Sequence, residues 1–398
     1  MDVFVARQPI FDQNKQLFAY ELLFRSGTSN VFPEIDGETA TSNLLSSSFF
    51  TVGIDRISAG KRVFINFTEE LLRQGTAEMF PAEKIIVEIL ENVTPSEEVV
   101  DACRRLVEHG YTLALDDFVY YQNLEPLIEL AEIIKIDFRL TSTEDISKMV
   151  DDLKSCSCRL LAEKIETYKE FEQALSMGFS YFQGYFFAKP EVLRNKDMLT
   201  SELTVMKLIC EVNRVELDID KLEQLINQDI SLSFKLMNYL NSGSFMRQKP
   251  LSSIREAIVS LGVAGVRMFI SLIATGSLAA EKPHELIKTS IIRARFLEQI
   301  GTELNLKGHD FFMLGLFSLL DAMLDNSMDF VLEKLPLADE VREALIHHRG
   351  HLFCYLQLVE KYESCQWSCV DTQLTAVGIP AARILDFYLD ALRIADGY

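Results

Sequence analysis

Two adjacent carboxylates, Asp116 and Asp117, follow the short apolar run Leu113-Ala114-Leu115. A run of this length and composition predicts a buried strand, so both acids stand where the strand ends and a loop begins. Charged side chains are rarely buried unless they are paired or bind a metal. The pair therefore predicts a nearby cation or a cluster of hydrogen-bond donors.

Other apolar or β-branched runs among the first 190 residues also end in polar groups. Eight runs predict strands, at residues 3–6, 17–24, 62–67, 84–90, 112–117, 133–137, 159–163 and 181–187. The polar residues at seven of these ends are Glu21 and Arg25, Asn66, Glu88 and Glu91, Asp116 and Asp117, Lys135 and Asp137, Glu163 and Glu166, and Gln183. One acid at a strand end is usually a helix cap or a surface group. Many acids at one edge require cations, because like charges repel.

The ligand types narrow the choice of metal. Carboxylate and amide oxygens, without histidine or cysteine, favour Mg²⁺ or Mn²⁺ over Zn²⁺. The sequence therefore predicts a centre for a hard divalent cation.

The elements between these runs must bring their ends together. Segments with helical periodicity lie between most of the runs, such as residues 96–109, which end at Gly110. Repeated strand and helix units with continuous apolar strands predict a parallel α/β sheet, and this number of units favours a closed, TIM-like barrel. A polar turn at residues 11–15 predicts that the first two strands pair antiparallel. In such a barrel, chemistry takes place at the carboxyl ends of the strands.

The ordered set of motifs resembles the EAL family of cyclic di-GMP phosphodiesterases over roughly residues 1–190. The matching residues are Tyr20-Glu21-Leu22-Leu23-Phe24-Arg25, Asn66, Val87-Glu88-Ile89-Leu90-Glu91, Asp116-Asp117-Phe118, Lys135-Ile136-Asp137, Glu163-Lys164-Ile165-Glu166 and Gln183-Gly184-Tyr185-Phe186-Phe187. Each motif alone is weak, and their order along the chain makes the resemblance specific.

The resemblance implies a role for each of these residues. Its implied ligands of a first divalent cation are Glu21, Asn66, Glu88, Asp116 and Glu163. Asp117 is implied as a ligand of a second cation, and Lys135, Glu21 and Glu163 as the catalytic residues, with Lys135 orienting the attacking water. Arg25 and Gln183 are implied to bind the dinucleotide, while Glu91 and Glu166 support the site. Two cations a few ångströms apart can activate water and neutralise a phosphoryl group.

One loop departs from the family pattern. After Asp116-Asp117-Phe118, the family's Gly-Thr-Gly-Tyr-Ser-Ser is replaced by Val-Tyr-Tyr-Gln-Asn-Leu at residues 119–124. In active relatives this loop helps to place the second cation and is coupled to homodimer formation. Two functions therefore stay open: metal-dependent hydrolysis of cyclic di-GMP, and a catalytically impaired domain that acts as a cyclic di-GMP sensor or a protein-interaction scaffold.

The second half of the chain is predicted to be all helical. Amphipathic stretches are expected at residues 200–213, 219–227, 231–241, 253–261, 263–280, 285–305, 309–324, 338–347, 352–362 and 378–395. The passages 229–242 and 251–262 resemble the HDOD domain, a relative of the HD phosphohydrolases without their metal-binding His-Asp pair. Ser318 and Leu319 stand where those enzymes have histidine and aspartate. The resemblance implies an output module that binds an unknown protein partner.

Two features of the helical half have competing interpretations. His347, His348 and His351 suggest a metal site, but adjacent histidines point apart on a helix, so a solvated helix end is favoured. Trp367, the one tryptophan, is interpreted as an anchor of the last helices rather than a binding platform.

Composition sets the broad class of protein. The 398 residues carry a net charge of −20, which argues against binding to nucleic acid polymers or anionic membranes. Seven scattered cysteines, without a CxxC pair or a leader sequence, predict reduced thiols in a soluble cytoplasmic protein. The predicted domains are an EAL-type barrel at residues 1–190, a linker at 191–199 and a helical HDOD domain at 200–398.

Overall fold

The computed structural model describes residues 3–26, 54–119, 122–191, 200–212, 214, 218–227, 254–278, 282–306, 308–333, 335 and 337–397. They form two compact units. The first combines the described part of residues 1–189 with Leu358–Asp396, and the second lies within residues 190–357. No helix in these ranges is both long and apolar enough to cross a membrane.

The first unit contains a closed barrel of eight strands in the order of the sequence. The strands are β1 Val3–Asp12, β2 Leu17–Ser26, β3 Arg62–Phe67, β4 Ile85–Ile89, β5 Thr112–Leu115, β6 Ile133–Asp137, β7 Arg159–Glu163 and β8 Tyr181–Gln183. β1 is antiparallel to both of its neighbours, and all other neighbouring strands are parallel. The predicted α/β barrel and its antiparallel first hairpin are confirmed.

Six described α-helices lie between strands of the barrel, and four of them begin at a side-chain cap. They are α1 Ile54–Ser58, α2 Glu69–Arg73, α3 Glu97–Glu108, α4 Glu125–Ile128, α5 Thr143–Asp152 and α6 Tyr168–Ser176. Ser96 and Ser142 accept hydrogen bonds from the first turns of α3 and α5, and Thr167 forms a capping box with Glu170 at α6. Each of these caps fixes the residue at which its helix begins.

One interior layer of the barrel takes a single buried residue from each strand. Its members are Ile10, Ala19, Phe64, Ile86, Ala114, Ile133, Leu161 and Tyr181. Side chains alternate between the two faces of a strand, so the residue two positions away points into the barrel again. The layer closes the barrel interior below the carboxyl ends of the parallel strands.

The helical half begins with α7 Thr200–Val212, α8 Ile219–Asn227 and α9 Ile254–Leu278. Residues from these three helices form one hydrophobic cluster around Leu208, Leu222 and Val266. α9 combines two predicted helices and is interrupted at Gly262, whose φ is 66°. The predicted helix 231–241 lies outside the described residues.

The later helices are α10 His284–Glu303, α11 Gly308–Phe317, α12 Leu320–Leu324, α13 Met328–Leu332, α14 Asp339–His347, α15 His351–Glu363, α16 Trp367–Val377 and α17 Ala381–Asp396. Helices α10 and α11 pack closely at Gly315, where a Cβ would lie 2.4 Å from the backbone of Arg293. The predicted helical second half is confirmed.

Several predicted bounds were wrong. The first strand extends to Asp12, and the last ends at Gln183 because Gly184, at φ 140°, turns the chain into a 3-10 helix. The predicted helix 309–324 is two helices, and α13 and α16 were not predicted. α13 is only five residues long, which is too short for a clear period.

The last helices of the chain form one compact unit with the barrel. Residues Leu358–Asp396, called the C-terminal segment below, contain the end of α15 and all of α16 and α17. α17 packs on β1 and on α1. The domain boundaries read from the sequence, which place this segment in the helical domain, stay a prediction.

Candidate metal centre

A ring of eight polar residues lies two positions from the buried interior layer, one per strand. Its members are Gln8, Glu21, Asn66, Glu88, Asp116, Lys135, Glu163 and Gln183. Seven of them follow the layer along β2–β8 or directly after the strand, and Gln8 precedes it because β1 runs in the opposite direction. Strand alternation thus brings the predicted strand-end residues to one mouth of the barrel.

Lys135 lies at the centre of this ring and is fully buried. Its Nζ is 2.9 Å from Asp116 Oδ1, 2.7 Å from Glu163 Oε1 and 3.7 Å from Glu21 Oε2. It also donates a hydrogen bond to Glu88 Oε1. One ammonium group therefore faces four carboxylates, so the ring has an excess of acid.

Burial and neighbouring charges change the pKa values of three of these acids, Glu88, Asp116 and Glu163. Burial raises the pKa of Glu163 to about 8; Lys135 opposes the shift, and the charge of Asp116 adds to it. Burial also raises the pKa of Glu88 well above its ordinary value, again against Lys135. For Asp116 the attraction and hydrogen bond of Lys135 outweigh burial and lower the pKa. Lys135 therefore does not fully offset the effect of burial on Glu163 and Glu88.

Several buried acceptor oxygens of the ring and of the adjacent Asp117 make no hydrogen bond within the described parts of the chain. These atoms are Asn66 Oδ1, Glu88 Oε2, Asp117 Oδ1 and Gln183 Oε1. A buried oxygen without a donor is costly, and a cation is the partner that several converging oxygens share. The first three belong to predicted metal ligands, so the residues present fit a bound divalent cation.

The acids form two groups with ligand spacing. Glu21, Glu88 and Glu163 offer oxygens within 4.8 Å of one another, and so do Asp116, Asp117 and Glu163. Glu163 belongs to both groups. A carboxylate shared between two groups suits a pair of neighbouring cations.

The turn that carries Asp117 is held from both sides. Asp116 N–H donates to the carbonyl of Ile89 on β4, at 2.9 Å, and Phe118 N–H donates to the carbonyl of Lys135 on β6, at 3.0 Å. Asp117 has φ 39°, a backbone conformation that is uncommon for a residue other than glycine. These two backbone hydrogen bonds thus fix the position of Asp117 between β4 and β6.

A second lysine, which the sequence reasoning did not single out, lies beside Asp117. Lys164 Nζ is 3.8 Å from Asp117 Oδ1 and donates to buried Asp137. The other oxygen of Asp137 accepts from the backbone of Arg139 and Leu140, at 2.6 and 3.0 Å. Asp137 therefore holds Lys164 at the edge of the second acid group.

Within the ring, Gln8 is the residue that the sequence reasoning missed. Gln183 Nε2 donates to Glu21 Oε2 at 2.6 Å and to Gln8 Oε1 at 3.1 Å. Gln8 lies directly opposite Glu21 in the β1–β2 ladder. The position of Gln8 follows from that ladder once the turn is known, so the hairpin pattern was the available signal.

Two residues predicted to support the site lie at its periphery. Glu166 is exposed and is paired with Arg139 at 2.7 Å and Lys189 at 3.2 Å. Glu91 is exposed and lines a cavity of about 520 Å³ with Asp117 and Phe118. The side chain of Arg25, Tyr120 and Tyr121 lie outside the described residues.

The helical half has no comparable group of acids. Within the described ranges, the only clusters of His, Cys, Asp and Glu with metal-ligand spacing are the two in the barrel. Ser318, at the predicted position of the missing histidine, accepts from Arg293 at 3.2 Å and donates to the carbonyl of Gly315. His347, His348 and His351 are all exposed, and Trp367 is buried against Tyr362.

Comparisons with known proteins agree with this architecture. The EAL domain profile matches residues 43–190, and the HDOD domain profile matches residues 199–324. The chain is 37% identical to the cyclic di-GMP phosphodiesterase CdgJ of Vibrio cholerae, over 98% of this chain and 91% of CdgJ. It is 36% identical to the uncharacterized protein YuxH of Bacillus subtilis, over 92% of each chain.

A solved structure of BlrP1 from Klebsiella pneumoniae, in a calcium and cyclic di-GMP complex, is 21% identical to the chain. That similarity covers 47% of this chain and 55% of BlrP1, with a TM-score of 0.39, so the assignment is based on the sequence relatives. The chain belongs to the EAL–HDOD family, in which an EAL domain precedes an HDOD domain.

Proposed function

We propose that the chain hydrolyses cyclic di-GMP to the linear dinucleotide at the barrel mouth, with two divalent cations. The observation that carries this proposal is the pair of acid groups that share Glu163, with buried oxygens that have no donor among the described residues. The similarity to CdgJ over nearly the whole chain supports the substrate. An all-oxygen donor set favours Mg²⁺ or Mn²⁺.

In this proposal, one cation is held by Glu21, Asn66, Glu88, Asp116 and Glu163, and the other by Asp117 together with Asp116 and Glu163. Bound cations supply an activated water and neutralise charge on the phosphoryl oxygens. Lys135 compensates the negative charge of the ring and orients the water. Arg25 binds a phosphate of the dinucleotide, since a guanidinium suits bidentate phosphate contacts.

The direct test is product formation by the purified full-length protein with cyclic di-GMP and Mn²⁺ or Mg²⁺. Linear dinucleotide should form with the wild type and be lost in Glu21→Gln. The matched control is Glu108→Gln, an exposed acid at the end of α3. Wild-type protein that makes no product at high concentration would sink the hydrolase proposal.

A second function, a cyclic di-GMP sensor, is favoured by the surroundings of Asp117. Lys164 lies 3.8 Å from this carboxylate, and residues 119–124 lack the family's glycines. A lysine there competes with the second cation, which would leave binding intact and slow turnover. Replacing residues 119–124 by Gly-Thr-Gly-Tyr-Ser-Ser should then raise kcat while the affinity of the first cation stays the same.

The partners of the helical half belong to the proposal as well. An output role for the HDOD domain through a protein partner, and pairing of barrels in a homodimer, are both proposed on the family resemblance. Size-exclusion chromatography with light scattering, with and without cyclic di-GMP, tests the homodimer.

A further inference from the structure

The C-terminal segment lies outside both matched domain ranges, yet it groups with the barrel. It contacts β1, which carries Gln8. β1 pairs with β8 only at Ile10–Asp12, so the first part of β1 has no strand partner on that side among the described residues. An uncovered strand edge leaves backbone groups without partners.

Two tyrosine hydroxyls of the segment take the place of that missing strand. Tyr362 Oη donates to the carbonyl of Val5 at 3.0 Å, and Tyr388 Oη accepts from Arg7 N–H at 3.3 Å. Both tyrosines are buried and their ring centroids lie 4.8 Å apart. The segment therefore satisfies the edge of β1 next to the ring.

A buried ion pair fixes the end of the segment to the same strand. Both terminal nitrogens of Arg7 donate to the carboxylate of Asp396 at 2.7 Å, and the guanidinium lies 4.3 Å from the ring centroid of Tyr20. Arg7 is only 7% exposed. A bidentate, desolvated pair is rigid, so it sets the position of β1 relative to α17.

The last contact reaches the ring itself. Gln8 Nε2 donates to the carbonyl of Glu363 at 3.3 Å, while Gln8 Oε1 accepts from Gln183, which holds Glu21. A chain of hydrogen bonds thus runs from the end of α15 to a proposed metal ligand. The neighbouring Cys365 is half-buried, and burial of its thiol and, after it, the charge of Glu21 raise its pKa.

We propose that the C-terminal segment is a positioning element of the metal centre, which holds Gln8 and, through Gln183, orients Glu21 for its cation. The proposal rests on the proposed metal site, not on turnover. Groups that orient metal ligands through hydrogen bonds change metal affinity by roughly tenfold or more when they are removed. The segment follows the HDOD domain in the sequence, so the polypeptide chain links that domain covalently to an element of the barrel unit.

The test compares Mn²⁺ affinity of full-length variants by titration calorimetry. Asp396→Asn should raise the Kd of Mn²⁺ about tenfold, and Tyr362→Phe should raise it in the same direction. Matched controls are Asp390→Asn, which removes an acid from the same helix, and Tyr355→Phe, which removes a hydroxyl from α15. Both controls should bind Mn²⁺ like the wild type. If Asp396→Asn does not fold, Tyr362→Phe, which loses one hydroxyl, decides the question.

Trp367 gives a readout that a purely structural role would not change. It is the only tryptophan, begins α16 and is 3% exposed, with its ring 5.2 Å from that of Tyr362. Saturation with Mg²⁺, which is not paramagnetic, should change Trp367 emission in the wild type but not in Glu21→Gln. An unchanged Mn²⁺ Kd in the folded variants, or emission that does not respond to Mg²⁺, overturns the proposal. If the wild type binds Mn²⁺ but makes no product, only the hydrolysis proposal is contradicted. The comparison of Mn²⁺ Kd values among the variants then still tests the positioning role of the C-terminal segment.

Discussion

Lys135 is the residue on which the metal-free ring depends. It is completely buried and faces Glu21, Glu88, Asp116 and Glu163. Loss of one partner of a buried ion pair leaves charge without compensation, which costs about 3 kcal/mol or more. The acids then need either protons or a metal.

Lys135→Met is therefore expected to lower the free energy of unfolding of the metal-free protein by about 3 kcal/mol. Mn²⁺ should restore much of that loss, because it binds the folded state alone. Denaturant unfolding with and without Mn²⁺ measures both effects. The control is Lys148→Met, whose side chain is 75% exposed. Equal stability of the two variants in chelator would show that the ring does not need this ammonium.

A pH prediction follows from Glu163. Its pKa is raised to about 8, chiefly by burial, whereas a cation binds the ionised carboxylate. Metal binding at pH 7 must therefore release protons, and the Kd of Mn²⁺ should fall as the pH rises from 7 to 9. Calorimetry in buffers of different ionisation enthalpy counts the protons. Glu163→Gln should release fewer; constant affinity without proton release would contradict the assignment.

Most of the ring could be predicted from the sequence because strand alternation is regular. The acids, Asn66, Lys135 and Gln183 were found at the ends of parallel strands, where the rule for barrels applies. Gln8 was missed because β1 is antiparallel, so its rim residue precedes the layer residue Ile10. Lys164 was missed because its role depends on a positive φ of 55°, which no residue pattern indicates.

At the scale of elements, a close contact between the turns that follow β7 and β8 fixes the position of Gln183. Gly184 follows it directly with φ 140°, and a Cβ there would lie 2.1 Å from the carbonyl oxygen of Ile165. That carbonyl also accepts from Phe186 N–H at 3.1 Å, so the backbone cannot retreat without breaking the turn.

Gly184→Ala should therefore destabilise the protein by about 3 kcal/mol, because the clash is with backbone and not with a flexible side chain. Gly178→Ala is the matched control: Gly178 also has a positive φ, of 95°, but among the described residues, apart from its chain neighbours, no atom lies within 4 Å of its Cβ. Gly178→Ala should lower the free energy of unfolding by about 1 kcal/mol. Thermal denaturation of both variants measures the difference, and similar losses would mean that the contact with Ile165 is unimportant.

The grouping of the C-terminal segment could not be predicted from periodicity. The helical pattern gave α17 and its apolar face, but not the element on which that face packs. The C-terminal segment is held by single polar contacts, Arg7 with Asp396 and Tyr362 with Val5. In each contact the two residues are more than 350 positions apart in the sequence. Pairings over such separations leave no local trace in one sequence.

For the whole molecule, the net charge and the acidic barrel mouth lead to one expectation about nucleotide binding. The chain carries a net charge of −20, and its barrel mouth concentrates acids around the buried Lys135. Cyclic di-GMP carries two phosphate charges, so the metal-free mouth should repel it, while bound cations reverse the local sign. Nucleotide affinity should then depend on divalent metal far more than on the helical half.

The corresponding measurement is equilibrium dialysis of the full-length protein with a slowly hydrolysed phosphorothioate analogue of cyclic di-GMP. Binding should be strong in Mn²⁺ and at least a hundredfold weaker in excess chelator, since two buried charge interactions of roughly 1.4 kcal/mol each would be lost. Asp116→Asn should weaken binding in Mn²⁺, whereas Asp101→Asn, at a side chain that is 49% exposed, should not. Because screening reduces repulsion, added salt should improve the weak binding in chelator slightly. Tight binding without metal would mean that Lys135, Lys164 and Arg25 suffice for the phosphates, and the centre would then be a nucleotide site that does not need its cations.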